Sequence, residues 1–339
     1  MNRLFLWLRS GTLKLLLWVS FVILLWGVFA PVGTLAWWLR QDPASIKAQR
    51  DRLRGQKAEA ETSSRSGSID CYIVFLTGVG DFSANQLSPG QSIFLDRLTH
   101  QHPNCVAVRD VFPYSAANIS LDGDNNLLTP LWRTARKADG WFENAYVVIK
   151  IRNLWHFALS IDSRYGPVYN EGIAHAIVDR MAAAHPIDQA QSPLKLILIG
   201  TSGGAQVALG AADYLNQGLA DELVVISVGG DFSGAEGFAA ADQIYHLQGS
   251  QDWIEDLSRF AFPQRWPLTV GSDFHQAQLQ GRYHVVFSGP HSHSGSTGYF
   301  GLTPVQPNNT DTTYTNKTHT NKTYLDFTLE AVNQLPIWQ

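Results

Sequence analysis

Leu194–Leu215, LKLILIGTSGGAQVALGAADYL, is the stretch whose reading decides the fold class. Apart from Lys195, its first six residues are apolar, a short continuous run that suits a strand buried on both faces of a parallel sheet. Gly200-Thr201-Ser202-Gly203-Gly204 follows, and AQVALGAADYL beyond it is compatible with a helix. A serine between glycines at a strand-to-helix turn matches the pattern G-x-S-x-G, in which the turn is so tight that only residues without bulky side chains fit beside the serine. The N–H groups of the following helix point at that serine, where they stabilise negative charge. Taken alone, five residues also fit a plain Gly-rich turn or a phosphate cradle.

Working outward, further apolar runs are punctuated by loops. Asp70–Leu76 reads as a strand and ends in Thr77-Gly78-Val79-Gly80-Asp81. Ser88-Pro89-Gly90-Gln91 is a capping-box helix start, and Cys105–Val111 is the next strand. Tyr146–Leu159 is strongly apolar and fits either a core strand followed by a helix or part of a cap spanning about 113–170. Tyr169–Ala184 reads as an amphipathic helix, as do residues 323–335. Three runs after the elbow end at potentially reactive residues: 222–228 before Asp231, 243–247 before Asp252, and 282–287 before His291 and His293. Strands alternating with helices predict an α/β fold with a mostly parallel, doubly wound sheet. In such a sheet the strand C-terminal ends share one edge, where ligands bind. Ser202, Asp252 and the two histidines all follow strand ends.

That co-location gives each residue a chemical role. A serine hydroxyl needs an adjacent base to become a nucleophile. His291 or His293 is the candidate base, and Asp252 the candidate acid that orients it, with Asp231 the alternative. Asp252 also suits a helix N-cap before WIEDL. Gly203 N–H, paired with that of Val79 or Gly80, is the candidate oxyanion site. As a dinucleotide fingerprint Gly78-Val79-Gly80 fails, because Ser83 stands at the third glycine position. No Cys/His/Asp cluster with metal-ligand spacing is visible, so no metal site or cofactor is expected.

From residue 69 to 339 the chain resembles the α/β-hydrolase superfamily. The resemblance rests on Gly200-Thr201-Ser202-Gly203-Gly204, on the strand leading to Gly249-Ser250-Gln251-Asp252, and on the strand leading to Gly289-Pro290-His291-Ser292-His293. It implies a Ser-His-Asp hydrolase acting through an acyl-enzyme on a small-molecule ester, thioester or amide. The loop after the first strand lacks the His-Gly-Gly-Gly motif of many lipases, which leaves the substrate class open. A catalytically silent binding or scaffold domain of the same fold is the alternative.

At 339 residues and 45% hydrophobic, the chain can bury one large core and carry an appendage. A net charge of −4 with no basic tract in the main body excludes a nucleic-acid partner as the working reading. Leu15–Leu39 holds no charged residue in 25 positions, enough for a helix to cross a bilayer, so residues 1–40 are read as a single-pass anchor rather than a cleaved signal peptide. Residues 41–68 then form a charged stalk and linker. An anchored, aromatic-rich cleft suits an apolar, lipid-like acyl substrate. Three basic residues precede the span and six follow it, which favours a cytoplasmic-facing domain. Cys71 and Cys105 are read as two ordinary buried cysteines, since a bridge would oppose that placement.

Overall fold

The continuous apolar runs form strands because each can bury both faces of its backbone ribbon. They are β1 (Cys71–Leu76), β2 (Cys105–Val108), β3 (Lys195–Thr201), β4 (Glu222–Val228), β5 (Gln243–Gly249) and β6 (Tyr283–Gly289). The computed structural model describes residues 20–21, 69, 71–81, 87–115, 143–187, 194–216, 219–305 and 322–338. These strands make one six-stranded sheet in the order β2-β1-β3-β4-β5-β6, and every pairing is parallel. The chain passes from β1 outward to β2, then returns to build β3 on β1's other side. The crevice between the β1 and β3 ends is therefore the topological switch point where open parallel sheets bind ligands.

Helices α1 (Pro89–Gln101), α2 (Glu143–Ile161), α3 (Gly166–Ala184), α4 (Gly203–Leu215), α5 (Trp253–Ala261), α6 (Asp273–Leu279) and α7 (Tyr324–Asn333) cover the sheet. Strand alternation sorts the core into two layers. Tyr72, Val74, Leu196 and Leu198 pack on one face with α3 and α4 residues such as Ile173 and Leu209. Cys71, Ile73, Phe75, Ile197 and Ile199 face the other way, toward Phe94 of α1 and Leu329 of α7. The sheet is thus doubly wound. The expected capping box is present, with Ser88 and Gln91 each satisfying the other's backbone N–H.

Two expectations are corrected. The Tyr146–Leu159 run contains no strand, because it lies wholly within α2. Its buried positions Ile149, Asn153, His156 and Ser160 recur at helical spacing. Cys71 and Cys105 are not separate thiols but a disulfide. They stand in register on adjacent parallel strands with Cα atoms 4.5 Å apart, within bridging range.

Apart from Ser20 and Phe21, the apolar stretch Leu15–Leu39 lies outside the described residues, as do the stalk and most of 113–142. Among the described residues no helix is long and apolar enough to cross a membrane.

Candidate active site

Ser202 occupies the turn between β3 and α4 with φ 48° and ψ −130°, the sole non-glycine residue at positive φ among those described. Its neighbours explain the motif. A Cβ on Gly200 would lie 2.5 Å from Ala205 Cα, and one on Gly204 would lie 2.4 Å from the Thr77 carbonyl oxygen. Both contacts are with backbone, which cannot rotate away. Glycine at these positions lets α4 turn back against β3 and β1, and that close return lifts Ser202 onto the sheet edge.

Three stretches converge there. Ser202 Oγ lies 3.0 Å from His293 Nε2. His293 Nδ1 lies 3.0 Å from both carboxylate oxygens of Asp252. An ionised carboxylate only accepts, so Nδ1 carries the proton and Nε2 is free to accept from the serine. Burial pushes the His293 pKa down, but the hydrogen bond to Asp252, its charge and that of Asp231 outweigh this and hold it above its ordinary value. Asp252 touches the His293 ring and also caps α5, Oδ1 accepting from Ile254 N–H at 3.1 Å.

His291 does not join this group. It is fully buried, its ring stacks on Tyr299 at 4.7 Å between centroids, and its Nε2 donates to the Ser288 carbonyl at 2.9 Å. Burial lowers its pKa to about 4, so it stays neutral. The physical reason lies in the loop: His291 folds under the end of β5 against Gly249, while His293, two residues on, projects over the sheet edge.

Asp231 reaches the site from the end of β4 without contacting the histidine as an orienting acid. Its Oδ2 accepts from Ser202 Oγ at 3.3 Å, so the hydroxyl has two acceptors for one proton. Burial raises its pKa to about 6, with Asp252 adding to the rise and His293, Ser258 and Ser202 opposing it.

The loop after β1 lies beside the elbow. A Cβ on Gly78 would sit 3.3 Å from Ser202 Cβ, and one on Gly203 would meet the Val79 side chain at 2.8 Å. The N–H groups of Val79, Gly80 and Gly203 have no acceptor among the described residues. Asn153 of α2, fully buried, donates to the carbonyls of Val79 at 3.0 Å and Asp81 at 2.6 Å. This fixes the loop's peptides. Asn153 was detectable only as a polar residue sharing a helical face with His156 and Ser160. Tyr299, whose hydroxyl contacts Asp252, carries no sequence signal at all.

Among the described residues no group of three His, Cys, Asp or Glu could hold a metal ion. No family model, curated protein or solved structure matches the chain.

Proposed function

We propose that the protein is a serine hydrolase of α/β-hydrolase type that cleaves an ester, thioester or amide through Ser202, His293 and Asp252. The observation that carries this reading is the unbroken chain Ser202 Oγ–His293 Nε2 and His293 Nδ1–Asp252, each link 3.0 Å. Ser202 Oγ attacks the substrate carbonyl as its proton passes to His293. Asp252 steadies the resulting imidazolium. Gly203 N–H, with that of Val79 or Gly80, takes the oxyanion, each donor contributing about 3 kcal/mol. Collapse expels the leaving group, which takes the proton from His293. Water then attacks the acyl-enzyme, giving its proton to His293, and releases the carboxylic acid with Ser202 restored.

A fluorophosphonate probe tests this. Labelling of the wild type and none of Ser202→Ala is expected; a folded wild type that does not label sinks the enzyme reading. The catalytically silent alternative draws on Asp231, which takes a hydrogen bond from the same hydroxyl.

The same proposal reads Leu15–Leu39 as a membrane anchor, its 25 uncharged positions being long enough to span about 30 Å of hydrocarbon. The Cys71–Cys105 bridge supports a domain on the oxidising side of that membrane, opposite to what the flanking charges favour. Protease added to intact cells removes the domain in that case and leaves it intact in the other.

A further inference from the structure

Helix α5 is inside out. Its inner face presents Glu255 and Ser258, both buried. Glu255 binds Arg265 at 3.2 Å and Arg259 at 2.9 Å, accepts from Gln248, and lies 3.3 Å from His246 Nε2. Its outer face presents Trp253, Leu257 and Phe260, at 66%, 54% and 74% exposure. At 100° per residue these three fall within about 40° either side of one line, directly opposite the buried pair. A surface helix of a globular protein has the reverse arrangement. The loop that follows continues the surface, with Trp266 partly exposed and Leu268 and Val270 at 90% and 86%. Exposed apolar area of this extent, flanked by Asp256 and Arg259, marks a contact surface.

Its position ties it to the Ser202 site. Asp252, which holds His293, is the N-cap of α5, so Trp253 directly follows the candidate acid. Phe262, at the helix's other end, packs on Phe157 at 6.2 Å, and the Phe157 ring lies 3.1 Å from where a Cβ on Gly203 would stand.

We propose that the outer face of α5, with Trp266, Leu268 and Val270, docks on the lipid surface of a bilayer and sets the mouth of the Ser202 site against it. This rests on the reading of Leu15–Leu39 as an anchor in the same bilayer. The chain leaves that segment and enters β1 at the sheet edge opposite Ser202, so the face reaches the lipid only if the connection spans the domain. Strands of six or seven residues make the sheet about 23 Å deep. A chain as long as residues 40–68 can reach at most about 100 Å, which is ample. Tethering also keeps the face at high effective concentration beside the bilayer, where Trp, Phe and Leu side chains enter the headgroup boundary. A separate protein partner has no such support.

Both native cysteines are in the disulfide, so an introduced thiol is uniquely labelled. Phe260→Cys and the control Ala184→Cys, an exposed position at the end of α3, each carry an environment-sensitive fluorophore in the full chain. With phosphatidylcholine vesicles, the probe at 260 is expected to shift to the blue and to be quenched by nitroxide-labelled lipid, and the probe at 184 to stay in water. Three results overturn the proposal: a probe at 260 that behaves like that at 184, one shielded from aqueous iodide but untouched by the lipid nitroxide, and shielding that follows the protein-to-lipid ratio, which marks a second copy. A chain that does not float with the vesicles removes the anchor reading and the docking face together. Repeating the measurement in Ser202→Ala separates it from catalysis, because depth does not depend on turnover.

Discussion

Tyr299 donates its hydroxyl proton to Asp252 Oδ2 at 2.8 Å and accepts the Gly249 N–H on the same oxygen at 2.9 Å. Burial raises the Tyr299 pKa, which keeps the hydroxyl protonated as a donor. Three donors therefore converge on one buried carboxylate: Tyr299, His293 and the Ile254 N–H. Tyr299→Phe leaves the Gly249 N–H buried without a partner. It should cost about 1–3 kcal/mol of stability, read by denaturant unfolding. It should also lower kcat with little change in KM, because Asp252 loses a restraint and the substrate loses no contact.

The two histidines of the Gly289–His293 loop separate cleanly. His293→Gln removes the base and is expected to lower kcat/KM by about 10³-fold or more, as losses within a triad do. His291→Ala empties a buried site stacked on Tyr299, so it should lower the melting temperature and spare most of the activity per folded molecule. Equal losses of activity from both would contradict the assignment of the base.

As the proposed base, His293 acts only when neutral. Asp252 and Asp231 hold the His293 pKa above its ordinary 6.5 against the effect of burial. Activity should therefore rise with pH along a limb whose midpoint lies above 6.5. In Asp231→Asn one of the charges holding that proton is gone, and the midpoint should move down. A kcat/KM profile across pH 5 to 9 reads both midpoints.

Asp231 itself opposes folding once ionised. Its folded pKa of about 6 exceeds the ordinary 3.8, so the folded state holds its proton more tightly than the unfolded chain. The penalty is absent below 3.8 and complete above about 6, where a shift of that size amounts to about 3 kcal/mol. Asp231→Asn should stabilise the protein by about 2–3 kcal/mol at pH 8, with the gain gone at pH 4. Urea unfolding at the two pH values decides it.

The elbow stores strain in the same way. Ser202 holds φ 48°, a region that disfavours any side chain. Ser202→Gly should gain about 1 kcal/mol after the entropy of a more flexible unfolded chain is set against the relief. Ser202→Ala keeps the Cβ and should gain nothing. Both abolish labelling, so the stability difference between them isolates the backbone.

The sequence alone determined the strands, the elbow and the residue types at the sheet edge, because these depend on short-range properties: apolar runs, glycine spacing and caps. Even the dual use of Asp252, as helix cap and as candidate acid, could be read from its place before WIEDL. Tertiary structure alone put His293 rather than His291 beside Ser202, since residues two apart in an irregular loop have no fixed relation to a hydroxyl 91 positions away. It also decided the Cys71–Cys105 bridge, which needs two strands to pair in one register. Asn153 and Tyr299 belong to the same class, each positioned by a partner far off in the chain, 74 positions away for Val79 and 47 for Asp252. Local sequence sets what a segment can be, and packing over long separations sets which atoms meet.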